Sequence, residues 1–122
     1  MKRFIILMMA ICCYIFYAYA QQNALPRYKM YQTENINILL KLDTATGKVW
    51  MVQYGTEGNI GITVPIDSTS LLAGNTPEVA GRYELYATKN MYNFILIDTK
   101  HGNTYQVQWS IERENRMRVR IF

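Results

Sequence analysis

RYKMYQTENINILLKLDTATGKVWMVQ at residues 27–53 returns at residues 82–108 as RYELYATKNMYNFILIDTKHGNTYQVQ, at a constant offset of 55 positions. Extended without a gap, residues 27–67 align with 82–122. Thirteen of those 41 pairs are identical, where unrelated sequence of ordinary composition would give about two. The pairs include Arg27/Arg82, Tyr28/Tyr83, Tyr31/Tyr86, Asp43/Asp98, Thr44/Thr99, Gly47/Gly102, Val52/Val107, Gln53/Gln108, Glu57/Glu112, Val64/Val119 and Ile66/Ile121. One unit is used twice.

β-Branched and aromatic residues alternate with polar ones inside each unit, and Asn, Asp, Thr and Gly punctuate them. The pattern predicts strands at 27–33, 36–43, 48–54 and 60–66, and again at 82–88, 91–98, 103–109 and 115–122. Residues 68–81 form a linker between the copies. A single four-stranded unit cannot bury an apolar face alone, so the copies must pack on each other. The expected fold is all-β. It is a duplicated four-stranded antiparallel meander, closed as an eight-stranded barrel or a two-sheet sandwich with pseudo-twofold symmetry. Period-two phasing puts Trp50, Val52 and Tyr54 on one face of their strand and Tyr105, Val107 and Trp109 on its counterpart, and these read as core. Ile62, Val64 and Ile66 share a face in the same way, as do Met117, Val119 and Ile121. The second strand of each unit is almost continuously apolar at Leu39-Leu40 and at Phe94-Ile95-Leu96-Ile97. That implies a strand covered on both sides, through a central position or a second contact by self-association.

The turn after that strand is Asp43-Thr44-Ala45-Thr46-Gly47 in the first copy and Asp98-Thr99-Lys100-His101-Gly102 in the second. Its side chains suit a bulged hairpin, with Asp and Thr bonding the local backbone and Gly in the left-handed position. With Lys48-Val49-Trp50 following, the first turn resembles the Asp-x-x-Thr-Gly-x-x-x-Trp turn of quinoprotein-type β-propeller blades over about ten residues. Trp50 falls one position early, and the second copy has His101 for the threonine. Two four-stranded units are too few for a closed propeller unless several chains assemble. The likeness therefore reads as a shared hairpin device, and it implies no quinone site. One carboxylate per loop also falls short of a calcium site.

Chemistry-bearing residues are few. His101 is the only histidine and occupies a turn, and Ser68, Ser70 and Ser110 have no nucleophile motif around them. Asp43, Asp98, Glu57 and Glu112 sit at turns or strand ends, and no glycine loop opens a helix to cradle phosphate. These readings point away from an enzyme, and no cofactor or metal is implied. The candidate ligand-binding residues are Arg27 and Arg82 beside Tyr31 and Tyr86, and a second-copy stripe of Arg116, Arg118 and Arg120. The matching positions in the first copy are Gly61, Thr63 and Pro65. The stripe could bind an anion or keep an edge strand from pairing with another.

The first twenty residues have the build of an export signal. Lys2 and Arg3 precede an apolar run from Phe4 to Tyr17, and Ala18-Tyr19-Ala20 offers small residues for cleavage before Gln21. Cys12 follows bulky Ile11, a poor lipoprotein site. Cleavage would remove both cysteines, Cys12 and Cys13. It would also take the 13 basic residues to 11 against 9 acidic ones, a net charge of +2 on the remaining 102 residues. Disulfides, thiol catalysis and cysteine-metal sites are excluded on this reading, and the charge is too mild to imply a polyanion partner, so no nucleic acid is expected. The expectation is one exported β domain over residues 21–122, periplasmic or at the cell surface. It would be a non-enzymatic binding module with an envelope protein or glycan as partner and no transmembrane segment after cleavage. The alternative is a structural protein that self-associates through its sheet, and a small hydrolase comes last.

Overall fold

The computed structural model describes residues 1–22, 24–55, 58 and 60–122. An N-terminal helix α1 (Lys2–Gln22) precedes eight strands: β1 (Tyr28–Gln32), β2 (Ile38–Asp43), β3 (Val49–Gln53), β4 (Ile62–Asp67), β5 (Tyr83–Ala87), β6 (Asn93–Asp98), β7 (Thr104–Gln108) and β8 (Met117–Ile121). All eight strands fall within a residue or two of the predicted ones. They form two antiparallel four-stranded sheets, ordered β1-β2-β3-β4 and β5-β6-β7-β8. Of the two expected closures, the sheets make the sandwich.

The repeated residues build repeated joints. Thr33 accepts a bond from the Asn35 amide and donates to the Ile38 carbonyl at 2.6 Å, which closes the β1–β2 hairpin. Thr88, Asn90 and Asn93 do the same in the second copy. The Tyr54 hydroxyl donates to the Ile36 carbonyl, and in the equivalent place the Trp109 indole donates to that of Met91. In the Asp-Thr-x-x-Gly turns, Asp43 accepts from the Ala45 amide and Asp98 from the Lys100 amide, each at 3.0 Å. Gly47 and Gly102 take positive φ of 78° and 76°, a region that side chains disfavour.

The core lies between the sheets. The first sheet contributes Ile38, Leu40, Leu42, Val49, Met51 and Ile66, and the second contributes Tyr83, Leu85, Phe94, Leu96, Val107 and Trp109. None of these positions correspond under the offset of 55. Leu40 is buried, but its counterpart Ile95 is on the outer side; Leu85 is buried, and its counterpart Met30 is exposed. Each sheet therefore offers the opposite face to the other, and the copies are related head to tail rather than by the expected twofold. Trp50, Val52 and Tyr54 accordingly point outward, which corrects the core expected for that strand, whereas Val107 and Trp109 point inward with half-buried Tyr105 packed against them. The physical reason lies in the register. Val52 pairs with Thr63, and Met51 pairs with Val64. The apolar sets of β3 and β4 thus stand on opposite faces of one sheet, and packing satisfies only one of them.

Helix α1 is 21 residues long, and its stretch Lys2–Ala20 is apolar and long enough to cross a membrane. The apolar run counted from Phe4 to Tyr17 understates it. None of that stretch is buried against the sheets, as suits an N-terminal signal sequence. Apart from α1, one short 3-10 turn at Arg113–Asn115 is the only helical element among the described residues.

Candidate functional site

Arg27 and Arg82 are built into the turns. Arg82 donates to both carboxylate oxygens of Asp98, at 3.0 and 2.8 Å, and Arg27 reaches both oxygens of Asp43 at 3.3 and 3.1 Å. The Arg82 guanidinium holds the Asp98 carboxyl below the usual carboxylate range, against the effect of burial. For Asp43 burial pushes upward, and the bonds from Arg27 and the Ala45 amide outweigh it. Each arginine also lies over the adjacent ring, Arg27 over Tyr28 and Arg82 over Tyr83. The expected pairing with Tyr31 and Tyr86 is not what forms.

The two tyrosines have separate environments. Tyr31 faces the joint, where its hydroxyl donates to Glu84 at 3.2 Å and accepts from the Leu85 amide. Lys29 joins the same Glu84 carboxylate at 2.8 Å. Burial raises the pKa of Tyr31 above that of a free phenol. Tyr86 is 60% exposed on the outer face of the second sheet.

The arginine stripe also divides. Arg118 points between the sheets, its side chain 5% exposed, beside Asp67 at 3.4 Å. It donates to the carbonyls of Gly47 at 2.8 Å and Thr69 at 2.9 Å. Burial lowers its pKa, and the nearby Asp67 charge opposes that. Arg116 turns back on the carbonyls of Ser110 and Ile111. Arg120 bonds Asn103 and covers the Phe122 ring. The three do not converge on one anion site. Arg118 instead fastens the outer strand of the second sheet to the first.

Two further features carry exposed recognition chemistry. On the outer face of the first sheet, Lys41 sits 4.7 Å from the Trp50 ring centroid and 5.9 Å from that of Tyr28, and the two rings stand 6.4 Å apart. Assigning Trp50 to the core hid this cluster. The β3–β4 register, which sets Met51 against Val64 and Val52 against Thr63, leaves apolar residues on both faces of the first sheet. The second feature is a half-open cleft of about 430 Å³ whose walls include Leu25, Pro77, Val79 and Ala80, with Thr99 and Lys100 of the second turn at its side. Among the described residues, no three His, Cys, Asp or Glu side chains gather to hold a metal. Asp98 is committed to Arg82, His101 is exposed in its turn, and Glu57 lies outside the described residues. Comparison with family models, curated proteins and solved structures gives no match.

Proposed function

We propose that the protein is a small exported interaction module of the cell envelope that works without catalysis, through the outer faces of its two sheets. The observation that carries this reading is the Tyr28–Lys41–Trp50 cluster, an outward-facing aromatic pair with a cation over both rings. Aromatic surfaces of this kind suit protein contacts, where Tyr and Trp are enriched among the few residues that carry most of the binding energy. Export rests on the apolar N-terminal helix and the small residues that end it. The engagement of Asp43, Asp98, Arg27, Arg82 and Arg118 in holding turns and joint favours binding over hydrolysis, since a general acid or base needs a group open to substrate.

The test uses the protein expressed from the full chain and recovered in the form the host leaves. It is immobilised and offered solubilised envelope proteins in one arm and envelope glycans in the other. Saturable retention of a protein, lost on Trp50→Ala or Lys41→Ala with the fold intact by circular dichroism, is the expected result. Retention of glycan alone, retention unaffected by both substitutions, or no retention would overturn it. A second reading, a structural component that self-associates, is favoured by the use of opposite faces in the internal joint.

A further inference from the structure

The joint between the sheets has two unlike halves, and the chain carries a second set of each on its outside. One half belongs to the first sheet, with Tyr31, Val64 and Ile66 packed into it. Their counterparts Tyr86, Val119 and Ile121 are the same residue types, yet they stand 60%, 52% and 45% exposed on the outer face of the second sheet. The other half belongs to the second sheet, where Tyr83 is 1% exposed and Val107 is buried. Their counterparts Tyr28, 53% exposed, and Val52 lie on the outer face of the first sheet. Five identical pairs thus have one member inside the joint and one outside it.

We infer that a second copy of this chain docks head to tail, the outer face of its first sheet against the outer face of the second sheet, repeating the internal joint between chains. This inference rests on the interaction-module reading and names the partner. Three observations favour a second copy over an unrelated occupant. The surface is continuous in kind with an interface the chain already makes. Charge sets the order: Lys29 pairs with Glu84 across the internal joint, and the same geometry between chains brings Glu84 of one copy to Lys29 of the next. Stacking like on like would oppose two lysines or two glutamates. The backbone is arranged to match. The Tyr83 amide donates to the Thr44 carbonyl across the internal joint at 2.9 Å, and the equivalent pair, Tyr28 amide and Thr99 carbonyl, is divided between the two outer sides. Thr44 is buried and Thr99 is exposed.

Two differences make the joint between chains the weaker one. The position of Arg118 is held in the first copy by Thr63, so no guanidinium caps the next turn. The position of Gly81, whose amide donates to the Thr44 hydroxyl, is held by Pro26, which has no amide hydrogen. A head-to-tail joint closes into a ring when its rotation permits. Closed rings of such sheets typically hold about four to eight of them, so two to four chains complete one.

The experiment is light scattering on the size-separated protein, recovered as above, over a range of concentrations. The expected mass is two, three or four chains. Val119→Glu blocks one half of the joint and Met30→Glu the other, both at exposed positions that leave the internal core alone. Each should raise the half-association concentration by about tenfold or more, with circular dichroism and heat unfolding close to the parent. Mixed in equal amounts, the two variants should form a dimer and nothing larger, because one competent joint remains between them. A monomer at every concentration overturns the inference, and so does a mass changed by only one of the substitutions, which marks a like-to-like interface. Retention of a different envelope protein by a strictly monomeric chain would sink the inference and leave the proposed function standing. Absence of both would remove the two together.

Discussion

At the residue scale, the repeated aspartates explain why the turn motif appears twice. Asp98 is buried, accepts from two backbone amides and meets Arg82 bidentately, so its charge is part of the fold. Its pKa is depressed in the folded state. The stabilisation is then fully present above the unfolded value of about 3.9, and it is lost as pH falls through the lower folded value. Stability should be level near neutrality and drop below about pH 4. Asp98→Asn leaves Arg82 without its counter-charge and should cost about 2–3 kcal/mol at pH 7. Urea midpoints of parent and variant should converge as pH is lowered to 3. A gap of the same size at both pH values would mean that Asp98 acts by shape and hydrogen bonding alone. This role was half legible: the sequence shows an Asp built for a turn, but the partner Arg82 lies sixteen positions away, and only strand pairing brings it there.

At the element scale, the eight strands were legible and their facing was not. Side chains of period two reveal which residues share a face, but not which face is buried. Copies of one ancestral pattern invite the assumption that equivalent residues are equally buried. The chain departs from that assumption because its sheets are apolar on both sides, with Trp50 and Val52 on one and Met51 and Val64 on the other. The same departure explains the continuous apolar run in β6: Phe94 and Leu96 fill the joint while Ile95 and Ile97 line the outer face. It also relocates the arginines. Arg118 was legible as an unshared basic residue, but its target carbonyls on Gly47 and Thr69 belong to the other copy, and no sequence spacing encodes that contact. Arg118→Ala should detach β8 from the first sheet and cost about 2–3 kcal/mol, toward the lower end because Asp67 is partly exposed. Arg118→Lys should recover only part of this, since an ammonium cannot reproduce the fixed fork that meets two carbonyls and a carboxylate. Arg120→Ala, on an exposed side chain, should fall within about 0.5 kcal/mol of the parent. Denaturant midpoints of the three variants check the order, and equal losses at positions 118 and 120 would remove the clamp from the account.

At the scale of the whole molecule, each sheet is a bare layer until the other covers it. The two sheets share one core, with no disulfide to hold either copy alone. Separate folding of the copies would require each to bury its inner face against something else, and α1, unburied over Lys2–Ala20, does not supply that cover. The sheets should therefore unfold together in one transition, and either copy expressed alone should lack stable structure. The tryptophans allow a direct test, because Trp109 is buried in the joint while Trp50 lies outside it. In a Trp50→Phe protein the remaining fluorescence reports on the joint, and far-ultraviolet circular dichroism reports on both sheets. The two signals should follow the same urea curve at concentrations low enough to keep the chains apart. Fluorescence lost well before the circular dichroism would mean that the sheets survive separation. The offset of burial between equivalent residues would then come from chance docking of two stable layers rather than from a joint on which both depend.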